Sequence, residues 1–188
     1  MNKGPSGIAA IGLATGAALL SRGASAQNPI PSGTSTRTAT FMVSVIVDSD
    51  CLISGTNALS FGHTGPRLKT SAVAALAQTD QATHFSVTCS KNTRYTLYLD
   101  QGSVANSTVN ARLMAGTSAG NTDKLLYQLY LDPAYSTMWG DGSSSSSNNV
   151  SGIGNGAPQA YTVYGRILDQ NMPNPDLYSS IITASLTF

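Results

Sequence analysis

Apolar residues in this chain recur with a period of two, the spacing of strands, and almost nowhere with the three-to-four spacing of a helix. Phe41, Val43, Val45 and Val47 share one strand face, as do Phe85, Val87 and Cys89, and Tyr95, Leu97 and Leu99. Leu125–Asp132 and Ala160–Leu168 add two aromatic-rich strands, and Tyr178, Ser180, Ile182, Ala184, Leu186 and Phe188 keep one parity to the C-terminus. The sequence contains no Glu and only four Lys, while Thr, Ser, Val, Tyr and Gly abound. That composition starves helices and feeds strands and turns. Strands at this spacing, separated by Gly, Asn and Ser turns, predict an all-β sandwich.

Residues 1–26 read as an export signal: Lys3, then the apolar segment Ile8–Leu20, then Ala24-Ser25-Ala26, with cleavage expected between Ala26 and Gln27. The apolar segment is too short to span a bilayer, which needs about 20 residues. Without the signal, eight basic residues face nine Asp, so there is no basic stripe of the kind that binds nucleic acid. Residues 27–50 form a Ser-, Thr- and Pro-rich leader ending in the apolar run Phe41–Val47, and residues 51–188 are expected to form one domain. A hydrophobic strand on a polar leader suits insertion into another molecule's core as well as into its own. Cys51 and Cys89 are the only cysteines, and an even count in an exported chain predicts a disulfide.

Between these landmarks, Leu52–Phe61 reads as a short strand interrupted at Gly55-Thr56-Asn57. Leu68–Gln78 is the one segment with the Ala and Leu content for a helical turn, but a helix that short is marginal alone and the β character of the surrounding chain weighs against it. Gly140–Gly156, with serines at 143–147, reads as a mobile surface connector.

Catalytic patterns fail on context. Gly116-Thr117-Ser118-Ala119-Gly120 matches a hydrolase elbow by letter, but a strand rather than a helix should follow it, and His63 and His84 both lie upstream. Two histidines are too few for a zinc site when both cysteines are otherwise engaged. Gly152, Gly154 and Gly156 lack the strand-to-helix setting of a dinucleotide loop. Asn106-Ser107-Thr108 and Asn149-Val150-Ser151 fit a glycosylation triplet, a frequent chance match in such loops. Trp139 is expected to pack in the core. The expectation is therefore no enzyme, no cofactor, no metal and no small-molecule substrate.

An ordered series of motifs runs through the chain: FGHTGP, FSVTCSKNTRYTLYLDQG, ARLM, LLYQLYLD, MWGDG, YTVYGRI and PDLYSSIITASLTF. The series, over Phe41–Phe188, resembles the spore coat U-like family, which includes subunits of archaic chaperone–usher pili. Where family members often carry Asp two residues after the last-strand tyrosine, this chain has Ser180. The resemblance implies an immunoglobulin-like β-sandwich that is incomplete in one chain and completed by a donated strand. It implies a periplasmic chaperone, an outer-membrane usher and identical or related pilin subunits as partners, and a surface fibre supporting adhesion and biofilm growth. A secreted coat or matrix protein of the same fold is the alternative. On this reading Phe41, Val43, Val45 and Val47 are the pocket-filling residues of the donated strand.

Overall fold

A computed structural model describes residues 33–67, 75–143 and 148–188. The export signal with its Ala26–Gln27 junction lies outside the described residues. The chain divides into two units, Met1–Ser44 and Val45–Phe188. In the first, the described residues 33–44 carry no regular secondary structure and are exposed.

In the second unit, residues 45–50 are also exposed and irregular, and strands follow from Cys51 onward. These are β1 (Cys51–Ser54), β2 (Pro66–Arg67), β3 (Ala75–Leu76), β4 (Thr79–Cys89), β5 (Arg94–Leu99), β6 (Arg112–Gly116), β7 (Lys124–Tyr130), β8 (Val150–Ile153), β9 (Gln159–Ile167), β10 (Gln170–Asn171), β11 (Tyr178–Ser179) and β12 (Ala184–Thr187). A six-stranded antiparallel sheet has the order β1-β4-β9-β7-β6-β11, and a three-stranded one the order β12-β5-β8. A third, minor sheet joins β10, β3 and β2. The two main sheets share a core in which Phe85, Val87, Leu129 and Val163 meet Tyr95, Leu97, Leu99 and Trp139. This is the sandwich that the period-two pattern predicts.

The disulfide joins Cys51 to Cys89, which stand directly opposite each other at the end of the β1–β4 ladder. It pins the start of the domain to its longest strand.

Residues 68–74 of the Ala- and Leu-rich segment lie outside the described residues, and Ala75–Leu76 is a strand, in keeping with the β character of the chain around it. Two local expectations need correction. The Gly140–Gly156 connector is not loop throughout, because Val150–Ile153 pairs with β5. Its glycine hid it: a side chain at Gly152 would overlap the Tyr95 ring, so a composition typical of linkers is here a packing requirement. The C-terminal run is not one strand. It leaves the six-stranded sheet after β11 and joins the other as β12. Side-chain parity survives the crossing, with Tyr178, Ser180, Ile182, Ala184 and Leu186 half-buried and the residues between them exposed. Only the backbone partners change. Ile181 N–H donates to Ser103 Oγ at 3.0 Å and Thr183 N–H to Asp100 Oδ1 at 3.0 Å.

Arg112 on β6 is fully buried, and its guanidinium is what the loops around the core are tied to. Nε donates to Asp100 O at 2.9 Å, Nη1 to Val109 O at 3.2 Å and Gln128 Oε1 at 3.3 Å, and Nη2 to Leu99 O at 3.1 Å and Trp139 O at 2.8 Å. Every N–H of the side chain is thereby used. Burial pulls the guanidinium's pKa down, while Tyr127, Asp100 and Asp141 push it back up. Removing the donor strands several buried carbonyls at once, each costing about 1–3 kcal/mol. Arg112→Met should therefore lower the urea unfolding free energy by about 3 kcal/mol or more, and a loss under about 1 kcal/mol would contradict this role.

Candidate functional site

The three-stranded sheet ends at β12, and no described strand pairs with its outer side. Thr183 exchanges hydrogen bonds with Asp100, its carbonyl accepting from Asp100 N–H at 3.1 Å and its N–H meeting the carboxylate. Backbone direction alternates along a strand, so Ser185 and Thr187 also face β5, while Ala184 and Leu186 direct their N–H and C=O outward. Leu99, opposite Ala184, sends its N–H to Gly140 O instead, as that alternation requires. The result is an edge with unpaired donors and acceptors, a template for another strand.

Beside this edge the core is open. A cavity of about 290 Å³ is bounded by Ser180, Ile182 and Ala184 of the C-terminal run. Phe85, Leu99, Tyr127 and Val163 bound it from the core strands. Thr56–Leu59 with Phe61 forms a further wall, and Thr83, His84, Met114 and Leu129 complete the lining. A close-packed domain of this size rarely keeps such a void. An edge strand, half-buried aliphatic side chains and an apolar hollow together have the chemistry to receive a strand bearing alternate apolar side chains.

The wall segment explains why Leu52–Phe61 is only partly a strand. Gly55 at φ 67° ends β1, and Gly62 at φ 67° ends the following stretch. Between them Leu59 and Phe61 are half-buried and sit over Gly165 of β9, where any Cβ would collide with Leu59. A second cavity of about 630 Å³ shares Leu59, Phe61 and Met114 with the first, and reaches Leu125, Ile167 and Tyr178. Leu59 and Phe61 thus stand between two hollows of one apolar groove.

The loop leading into β11 is braced by Asp176. Its carboxylate accepts from Ser118 N–H at 2.9 Å, Ser118 Oγ at 2.8 Å and Asn121 Nδ2 at 2.7 Å. These bonds, the Ser118 N–H first, hold its pKa well below the usual carboxylate range. Gly116 accordingly ends β6 and residues 117–120 open the turn toward β7, with Ser118 spent on Asp176. His84 is exposed on β4 and His63 is exposed in the loop after Phe61; each lines one of the two hollows.

The Spore Coat Protein U domain model matches residues 37–185. The chain belongs to the Spore Coat Protein U domain family. Among curated proteins none matches. Among solved structures, one from Acinetobacter baumannii is similar, a crystal structure of the CsuC–CsuE chaperone–tip adhesion subunit pre-assembly complex from archaic chaperone–usher Csu pili. It shares 22% identity with a TM-score of 0.49, over 76% of this chain and 40% of that one.

Phe41, Val43, Val45 and Val47, named from the sequence, are 88%, 83%, 84% and 84% exposed. On the acceptor side of this Spore Coat Protein U domain, sequence parity finds Ile182, Ala184 and Leu186. The same parity includes Ser180, but the burial of Arg112 and of the Tyr127 and Ser180 hydroxyls carries no such signal, because a buried polar group is recognised by its partners and not by its neighbours in sequence. Trp139 is buried in the core and donates from Nε1 to Leu97 O at 3.4 Å.

Asp176 supplies the pH test. A carboxyl with a depressed folded-state pKa stabilises fully above its unfolded value near 3.9, and loses that contribution as pH falls through the folded value. The melting-temperature gap between wild type and Asp176→Ala should be constant from pH 7 to 5 and narrow below about pH 4. A gap that widens on acidification would contradict the assignment.

Proposed function

We propose that this chain is a structural subunit of an archaic chaperone–usher pilus and polymerises by strand donation. One observation carries the reading: the open β12 edge lies beside an apolar hollow between the sheets. The same chain presents an exposed apolar run with the matching period of two, Phe41 to Val47. The family membership agrees with it.

On this reading residues 27–50 form the leader and donor strand after removal of the signal, and residues 51–188 the acceptor domain. A periplasmic chaperone holds the hollow first, and the next subunit's run Phe41–Val47 replaces it at an outer-membrane usher. Burying Phe41, Val43, Val45 and Val47 supplies roughly 6–12 kcal/mol before the cost of ordering the strand. Once both faces of β12 are paired, release requires breaking the whole ladder, so the fibre persists kinetically. The product is a surface fibre supporting adhesion and biofilm growth, and it needs no catalytic step.

Val43→Asp with Val45→Asp in the full-length gene tests the proposal. These positions lie outside the acceptor domain, so the subunit should still reach the periplasm in normal amount. Electron microscopy of the cells should show loss of surface fibres. Fibres in normal number with both aspartates present would overturn strand donation by this segment.

A further inference from the structure

The hydroxyls of Tyr127 and Ser180 are buried, border the hollow beside β12, and among the described residues interact with each other but meet no further hydrogen-bond partner. Tyr127 is 4% exposed as a residue. They lie close together, since a Cβ on Gly102 would come within 2.6 Å of Ser180 Oγ and 3.3 Å of Tyr127 Oη. Buried polar atoms nearly always use their full hydrogen-bonding capacity, so a hydroxyl pair with only each other, at the Ile182–Ala184 side of the hollow, marks where a polar group of the occupant belongs. Ser180 begins the run that continues through Ile182, Ala184 and Leu186, which puts the polar spot at one end of the acceptor row.

The donor segment offers one match. Its apolar face is Phe41, Val43, Val45 and Val47, and the next residue on that face is Ser49. Residues on the opposite face, Met42, Ser44 and Ile46, point away from the groove. Laid antiparallel to β12, with Val43 opposite Leu186, Val45 opposite Ala184 and Val47 opposite Ile182, the segment brings Ser49 opposite Ser180. Laid parallel, it brings Phe41 or Ala39 to that end and leaves both hydroxyls with no further partner.

We infer that Tyr127 and Ser180 form a polar foot of the acceptor groove that binds Ser49 of a second copy and thereby sets the direction and register of the donated strand. This rests on the strand-donation reading. The foot rewards one placement among several that bury the valines equally well. It therefore acts on specificity more than on total affinity.

The experiment measures dissociation of fluorescent peptides spanning Thr40–Asp50 from the mature full-length chain. A Ser49→Ala peptide should leave roughly five- to tenfold faster than the parent, the worth of one or two hydrogen bonds. A Ser44→Ala peptide should leave at the parent's rate. In Tyr127→Phe/Ser180→Ala protein the parent and Ser49→Ala peptides should leave at one common rate. These substitutions remove both hydroxyls of the pair together and should not lower the melting temperature. Equal rates for all three peptides on wild-type protein overturn the polar foot while leaving strand donation standing. A Ser49 effect that persists in the double variant does the same. If the chain stays monomeric and no peptide binds it, strand donation fails and the polar foot fails with it.

Discussion

The structure depends on one unmet requirement: backbone groups at the edge of a sheet must be paired or solvated, and here the edge strand is also meant to close a core. β12 and the residues leading into it bury Ile182, Ala184 and Leu186 only partly, and nothing described covers the outer side of β12. A chain that closed its own sandwich would pair both sides of this strand and exclude the adjoining hollow. Among the described residues no strand does so. The incompleteness is paired with an excess, because the run Phe41–Val47 carries more apolar surface than a solvent-exposed segment needs.

Around that gap the acceptor is rigidly built. The Cys51–Cys89 bridge fixes the first strand to β4, so the exposed leader begins from a defined point. Arg112 ties the β5 end, the Val109 loop and the Trp139 segment to one guanidinium, and Asp100 anchors Thr183 where the chain changes sheets. Asp176 braces the loop before β11. These contacts hold the edge in place without covering it. A preorganised edge loses less entropy on receiving a strand than a mobile one, which is how such a site converts apolar burial into lasting attachment.

Much of this was legible in the residues. Period-two alternation marked β4, β5, β7, β9 and the C-terminal run, and the paired cysteines marked the disulfide. What escaped was set by tertiary context. β8 sits in a Gly- and Ser-rich stretch because Gly152 must clear Tyr95. The C-terminal run kept one parity while exchanging backbone partners, so its division into β11 and β12 left no mark on the side-chain pattern. Nothing in the sequence marks Arg112 as buried, since only the assembled loops supply the carbonyls that satisfy it. The Tyr127 and Ser180 hydroxyls are invisible for the same reason.

Residue-resolved hydrogen exchange at β12 tests the central claim most directly. In the unassembled subunit the outward amides of Ala184 and Leu186 should exchange rapidly, and on assembly, or on adding the Thr40–Asp50 peptide, they should become protected by about two orders of magnitude or more. Ser185 and Thr187, already bonded to β5, should change far less. If Ala184 and Leu186 are equally protected before and after assembly, the sandwich is complete in a single chain and the account of strand donation is wrong.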